Sequence, residues 1–324
     1  MQTSRNRPLD SADSVRPSSA VNRNRDDIVR RTTLIVPTHV ERFVNRARSA
    51  GADAVMLDLE DGVAPSAKEL ARSQLKQSVA SLRASVRTIL IRVNNDAPNH
   101  RIEDMLAALE ARPDGLFIPK IETAEELAQC ESILTTKEVE LKLLPGTFEL
   151  AVTLETPKAV LNYRAICEAA SSRVKTLAVG SEDIVLELGI VATEEGTERL
   201  FANSLIVLAA ASYCMQPLGL LGDLSNFKDL NLLEAAARRS FAFGFMGSYC
   251  INPVQVPILN RGFSPTEGEI AFAREVIAAA SASAGQAQHV DRKMVAASAF
   301  RRAERLCRRL DTIAAHESGA WRAA

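Results

Sequence analysis

Charged side chains stand at the ends of several apolar, strand-like segments of this chain. Glu155 follows AVTL, and Asp183 closes TLAVGSED. Two carboxylates held close together, with positions left for water and substrate, form a site that a hard divalent cation prefers. The ends of adjacent parallel strands lie side by side. We therefore expect Glu155 and Asp183 to bind Mg²⁺, with Mn²⁺ as an alternative, although a single acid more commonly caps a helix or pairs with a surface base.

Arg92 ends the apolar segment TILIR, which is too apolar to carry a charge without a partner. Its guanidinium can hold a carboxylate or a developing enolate oxygen. The alternative is a structural salt bridge with Asp58 or Glu60. These acids end the second strand together with Asp61, and they could also bind water near the metal or cap a loop. We predict Arg92, Glu155 and Asp183 as catalytic residues, and Arg92, Glu155, Asp58 and Glu60 as substrate-binding residues.

Two further polar residues have secondary roles in this interpretation. Lys120 ends the fourth strand at the same relative position as Arg92 but carries a more flexible side chain. His39 follows the first strand and is the only one of the four histidines placed to meet a substrate. A histidine in a loop is more often a solvated bystander.

Strand-like and helical patterns alternate along the chain from Thr32 onward, which predicts about eight strand–helix units and a (β/α)8 barrel. A doubly wound open sheet would usually show a glycine-rich phosphate turn after its first strand, and TLIVPTHVE has no glycine. Ser66, Thr123 and Pro157 fit the rules for helix N-termini. The predicted strand segments are TTLIVP, DAVMLDL, TILIRVN, GLFIPK, AVTLET, VKTLAVG, PLGLLGDL and FMGSYCIN.

The chain divides into three parts in this prediction. Residues 1–31 are polar and form a disordered tail, residues 32–262 form the barrel, and residues 263–324 form a helical extension. The extension has helical patterns over about 265–284 and 290–311, and the spacing of Met294, Ala297, Phe300 and Leu306 suits an amphipathic docking helix. It could pack on its own barrel or reach a neighbouring subunit.

Composition excludes several classes of protein. The 324 residues are 47% hydrophobic, with 39 basic and 40 acidic residues and a net charge of -1, so no broad field attracts nucleic acid or an anionic membrane. No apolar stretch reaches the roughly 18 residues that a membrane span needs. The five cysteines are isolated, which indicates a reducing compartment. We expect a soluble, cytoplasmic protein whose partners are small molecules or further subunits.

Several motifs occur in order along the chain: LIVP, AVMLDLEDGVAPSAKELAR, IRVN, GLFIPKIE, LETPKAV, LAVGSEDI, GFMGSYCINPVQV and FSPTEGEIAFA. Together they resemble the citrate lyase beta-subunit and malyl-CoA lyase group of the HpcH/HpaI aldolase superfamily. The resemblance implies a Mg²⁺-dependent barrel lyase that makes or breaks the bond between a 2-oxo acid and an acyl-CoA enolate. It also implies Glu155 and Asp183 as metal ligands, Arg92 at the substrate, and a homotrimer or hexamer.

The chain departs from the family pattern at four places. Thr38 stands where the family usually has glycine, Ser248 where it has lysine, and Asn252 where it has histidine. Ala296 stands where the family pattern has a C-terminal acid that acts from a neighbouring subunit. If that acid protonates the acyl enolate or activates water, its loss costs about a hundredfold or more in rate. Three hypotheses follow: a thioester-dependent lyase, a 2-oxo-acid aldolase that needs no thioester, and a non-catalytic metal- and ligand-binding homologue.

Overall fold

The fold is a closed barrel of eight parallel strands, as the sequence predicts. The computed structural model describes residues 25–193, 195–224, 229–282, 288–290, 293–295 and 297–319. Neighbouring strands follow chain order from β1 to β7, and β8 pairs with β1. A parallel bridge from Leu218 to Gly247 closes the ring between β7 and β8. The strands are β1 (Thr32–Pro37), β2 (Ala54–Asp58), β3 (Thr88–Arg92), β4 (Gly115–Ile118), β5 (Glu149–Leu154), β6 (Val174–Val179), β7 (Gln216–Leu218) and β8 (Ser248–Cys250).

Helices connect the strands, and their starts follow the predicted sequence signals in two clear cases. Thr123 caps the N-terminus of a helix by accepting a hydrogen bond from the Glu126 amide, and Pro157 occupies the first turn of the helix that Thr156 caps. The barrel helices are α1 (Glu41–Ala47), α2 (Lys68–Ser73), α3 (Leu75–Arg83), α4 (Pro98–Glu110), α5 (Ala124–Glu140), α6 (Pro157–Leu161), α7 (Tyr163–Ala169), α8 (Ser181–Glu187), α9 (Leu200–Ser212), α10 (Leu230–Phe243) and α11 (Val256–Gly262).

Apolar side chains fill two layers of the barrel. The larger layer lies between strands and helices and includes Leu57, Ile91 and Val152, all fully buried. A smaller cluster is formed by Met56, Leu90, Phe117 and Ala151, with Ile35 and Tyr249 packed against it. Because side chains alternate along a strand, the members of the smaller cluster face the barrel axis when the larger layer faces the helices. The same alternation turns Asp58, Arg92, Thr153 and Glu155 inward.

The C-terminal extension contains α12 (Glu267–Ala282) and α13 (Ala297–Glu317), which pack on each other. The predicted helix from 290 to 311 was wrong in its first part, because Gln288–Val290 and Lys293–Val295 form two short antiparallel strands instead. Valines at 290 and 295 favour extended backbone, which outweighs a helical spacing of apolar residues. Met294 therefore lies on a strand, and the helix begins at Ala297.

The helix α13 docks on the barrel through residues 25–31, the described part of the predicted tail. Arg309 is buried and donates to the carbonyl oxygens of Ile28 at 2.7 Å and Met246 at 3.1 Å. Arg305 pairs with Asp26 at 2.8 Å. The extension thus packs on its own barrel, at the end where the strands begin. No helix within the described residues is long and apolar enough to cross a membrane.

Candidate active site

The predicted acids Glu155 and Asp183 meet at the end where the strands finish. Glu155 follows β5, and Asp183 lies in the first turn of α8, directly after β6. The register pairs Leu154 with Val179, so Glu155 stands beside Gly180. A side chain at Gly180 would collide with the Glu155 carboxylate. Glycine at this position leaves room for the carboxylate to turn towards Asp183.

Glu155 is buried, and none of the described residues forms a salt bridge with it. Its Oε1 accepts a hydrogen bond from the Lys120 amide at 2.7 Å, and the residue is only 6% exposed. Burial, together with the negative charges of Asp183 and Glu60, raises the pKa of Glu155 to about 8. The site therefore holds more negative charge than its own basic groups offset.

Arg92 is held in a fixed position by the acidic cluster at the end of β2. Its Nε and Nη2 donate to the two oxygens of Asp58 at 2.7 and 2.8 Å, and its Nη1 lies 3.1 Å from Glu60. Asp58 is fully buried and also accepts from the amides of Glu60 and Gly62. Both Asp58 oxygens are occupied in this way, which fits positioning of Arg92 better than contact with a substrate. Asp61 is 4.0 Å from Arg92 and largely exposed.

Lys120 and Glu60 form the second ion pair of the site. The Lys120 Nζ lies 3.2 Å from Glu60 Oε1, and its side chain is 38% exposed. The backbone of Lys120 is left-handed, with φ of 52°, which a non-glycine residue rarely adopts. This conformation directs the Lys120 amide at Glu155. Sequence reasoning gave Lys120 a secondary role and had no signal for its backbone.

Two neighbouring cavities open at this end of the barrel. The first, which we call the carboxylate cavity, has a volume of about 320 Å³ and is lined by Glu155, Asp183, Arg92, Thr153 and Tyr249 among others. The second, the side cavity, has about 480 Å³ and is lined by Arg46, Phe43, Asp58 and Asn252 among others. Ile35, Arg92 and Ile251 line both. The side cavity, the larger of the two, therefore adjoins the carboxylate cavity, and one ligand can extend through both cavities.

Other predicted residues have different surroundings. His39 is partly exposed and lines neither cavity, and its Nδ1 is buried without a hydrogen-bond partner in the described structure. Asn252 caps a short 3₁₀ turn, Pro253–Gln255, through its side-chain oxygen. Ser248 is buried and donates to the Tyr249 carbonyl. Ala296 lies outside the described residues.

The donor set fits a divalent cation with open positions. Two carboxylates that repel each other, one of them buried, lose that repulsion when a cation binds between them. No group of three or more acidic, histidine or cysteine side chains able to hold a metal occurs among the described residues. Remaining ligands must then come from water or substrate, as in a site where the cation contacts the reacting molecule.

The chain is similar in sequence to characterised lyases. A profile of the HpcH/HpaI aldolase/citrate lyase family matches residues 31–253. The citrate lyase subunit beta of Escherichia coli (strain K12) is 33% identical over 82% of this chain and 87% of its own length. The mitochondrial citramalyl-CoA lyase of Homo sapiens is 29% identical over 78% of this chain and 76% of its own.

The fold is also similar to solved structures. The protein CitE from Mycobacterium tuberculosis, in complex with magnesium, acetoacetate and coenzyme A, superposes with a TM-score of 0.70 at 25% identity, over 86% of this chain and 97% of that one. The chain is thus a parallel barrel with an acidic site at the ends of its strands. This chain belongs to the HpcH/HpaI aldolase/citrate lyase family. The predictions of the family, of the barrel and of a carbon–carbon lyase are confirmed.

Proposed function

We propose that the protein is a Mg²⁺-dependent lyase that cleaves or forms the bond between a 2-oxo acid and a CoA-type thioester enolate. The observation that carries the proposal is the buried Glu155 carboxylate beside Asp183, facing Arg92 across one cavity. The CitE structure with magnesium, acetoacetate and coenzyme A supports this combination of ligands. We propose Glu155 and Asp183 as the metal ligands.

The bound cation would supply Lewis-acid polarisation of the oxygen atoms of the acid. The chain itself supplies Arg92, whose position Asp58 and Glu60 fix. A guanidinium held in place before the reaction stabilises negative charge that develops on a carboxylate or enolate oxygen. Lys120 balances part of the negative charge of Glu60 at the rim.

The side cavity is the proposed place for the thioester carrier. It adjoins the carboxylate cavity at Arg92 and Ile251, so an acyl group beside Arg92 can continue into a chain that leaves along Ile251. Phe43 and Arg46 line its far part and offer an aromatic face and a cation. These groups suit a long, partly apolar carrier that carries phosphate.

A cleavage assay tests the proposal. Purified protein is incubated with citramalyl-CoA, malyl-CoA or 3-hydroxy-3-methylglutaryl-CoA, and release of the free acid is followed with and without EDTA. We expect cleavage of at least one thioester that is lost with EDTA and in Glu155→Gln. Absence of cleavage, with Mg²⁺ and oxo-acid binding retained, would favour the thioester-free aldolase or the non-catalytic homologue, and Ala296→Asp would then test whether the missing acid is the cause.

The organisation of the protein remains part of the proposal. Exposed apolar side chains occur at the end of α8, in the segment after it and at the start of α9, including Leu186 at 75% exposure, Val191 at 89% and Phe201 at 69%. Such a patch favours self-association, and we propose a cytoplasmic homotrimer or hexamer. We also propose the division between barrel and extension at residue 262, whereas residues 25–31 of the predicted tail pack against α13 and the barrel. Light scattering of the purified protein tests the assembly, and a monomer at micromolar concentration would contradict it.

A further inference from the structure

The floor of the carboxylate cavity carries two hydroxyl groups that the proposed chemistry does not use. Thr153 lies two residues before Glu155 on β5, and Tyr249 lies on β8. Both side chains line the cavity. Among the described residues, neither the Thr153 hydroxyl nor the Tyr249 hydroxyl has a hydrogen-bond partner, and both oxygen atoms are buried.

The position of each hydroxyl is fixed by its surroundings. The Tyr249 ring packs edge-on against Phe117, with ring centroids 5.4 Å apart and planes at 84°. Thr153 is only 2% exposed and sits in a strand paired on both sides. The Thr153 hydroxyl is close enough to lower the pKa of Tyr249, which burial and Glu155 raise. The two hydroxyls are therefore close neighbours, and since each can both donate and accept, each keeps capacity for a ligand.

A buried hydroxyl without a partner is costly, so the pair indicates a ligand with hydrogen-bonding capacity. The rest of the floor is apolar, with Met56, Phe117 and Ile35. The acids of the site stand above it, which disfavours a further negative charge. A methyl group would leave both hydroxyls unpaired. A neutral hydroxyl can accept from one of them and donate to the other.

We propose that Thr153 and Tyr249 form a specificity pocket for a 2-oxo acid that carries a hydroxyl group on C3. This inference rests on the proposed function, since it assumes that the acid binds at the Glu155 and Asp183 site. It names the class of acid, which the motifs of the chain leave open. Sites built to hydrogen-bond a substrate hydroxyl reject the analogue that lacks it by large factors.

Isothermal titration with 3-hydroxypyruvate, pyruvate and 2-oxobutyrate, each in the presence of Mg²⁺, tests the pocket. We expect the wild-type protein to bind 3-hydroxypyruvate about tenfold or more tightly than pyruvate. Thr153→Val and Tyr249→Phe keep the shape and remove one hydroxyl each. Each variant should bring the two affinities within about threefold of each other, chiefly by weakening 3-hydroxypyruvate.

Matched variants separate specificity from folding. Thr153→Ser keeps a hydroxyl and should retain the preference, and Tyr163→Phe removes a tyrosine hydroxyl on α7, away from the cavity, and should change nothing. Thermal melts of all variants show which are folded. Equal wild-type affinities for 3-hydroxypyruvate and pyruvate, or a preference that survives in both Thr153→Val and Tyr249→Phe, would overturn the inference alone. Failure of the wild type to bind any of the acids with Mg²⁺ would overturn the proposed function with it.

Discussion

The two ends of the barrel both bury charged side chains, but they treat them in opposite ways. At the end where the strands begin, Asp53 accepts three hydrogen bonds from Arg31, at 2.7, 2.9 and 2.8 Å, and lies 3.3 Å from His316. Arg31 and its hydrogen bonds keep the pKa of Asp53 low despite its burial. At the end where the strands finish, Glu155 is buried against Asp183 and its pKa rises to about 8.

The difference separates a structural charge cluster from the proposed functional one. We call the end where the strands begin the lower end and the end where they finish the upper end. The paired charges of the lower end join β1, β2 and α13, since Arg31 also reaches Glu317 at 2.8 Å. A buried pair of this kind is satisfied within the chain and needs no ligand. The end where the strands finish has more acidic than basic groups, and a bound proton or a cation is needed to offset the charge of Glu155. A strongly shifted pKa in a cavity, as for Glu155, therefore favours a ligand-binding site at that end.

The largest expected effect is the loss of metal binding at the upper end. Glu155→Gln and Asp183→Asn keep the shape of each side chain and remove its charge. We expect each variant to lose detectable Mg²⁺ binding in calorimetric titration and to lose the rise in Tm that Mg²⁺ gives the wild type. Asp53→Asn, at the lower end, should bind Mg²⁺ normally, and unchanged binding in both upper variants would contradict the assignment.

The next effect is structural and belongs to the lower end. Asp53→Ala leaves the buried Arg31 guanidinium without its main partner, which should lower the free energy of unfolding by about 3–5 kcal/mol. Urea unfolding measures the change. Glu317→Ala removes the other acid that Arg31 contacts, but that side chain is 57% exposed and should cost about 1 kcal/mol or less. Similar losses of unfolding free energy in Asp53→Ala and Glu317→Ala would show that burial does not determine how much each ion pair stabilises the protein.

The pH dependence of stability should have opposite signs at the two ends. Folded Glu155 holds its proton up to about pH 8 whereas the unfolded chain releases it near 4.5, so its contribution lowers stability as pH rises through this range. The pKa of Asp53 is lowered, so its contribution is present above about 3.8 and is lost in acid.

Urea unfolding without divalent cations, at several pH values from 5 to 9, separates these contributions. Relative to Glu155→Gln, the wild type should lose about 4 kcal/mol as the pH rises from 5 to 9. Addition of Mg²⁺ should reduce this loss, because the cation favours the ionised carboxylate. Parallel pH profiles for the wild type and Glu155→Gln would show that Glu155 ionises normally in the folded protein.

The sequence predicts the frame of the site well because its signals are local. Arg92 and Glu155 each stand at the end of an apolar run, where the barrel has its site. The alternation of side chains along a strand determines that both face inward. The role of Asp58 could not be read in this way, because the choice between substrate contact and support of Arg92 depends on distances across two strands. Thr153 and Tyr249 carried no signal, since an isolated threonine or tyrosine in a strand is ordinary. The sequence did not predict the strands at 288–290 and 293–295, because segments of three residues fit a helical period as well as the two-residue period of a strand.

The smallest expected effect concerns the backbone that supports Glu155. Lys120 is left-handed at φ of 52°, and Lys142, exposed at the end of α5, is left-handed at φ of 56°. A left-handed backbone costs a residue with a side chain about 1–2 kcal/mol, and glycine avoids this. At each position the glycine variant should therefore be more stable than the alanine variant by about 1 kcal/mol in urea unfolding. Oxo-acid affinity should change only in the Lys120 variants, where the ion pair with Glu60 is lost. A stability difference at Lys142 with none at Lys120 would mean that the Lys120 backbone is relaxed, and that its amide is not held against Glu155 at the cost of strain.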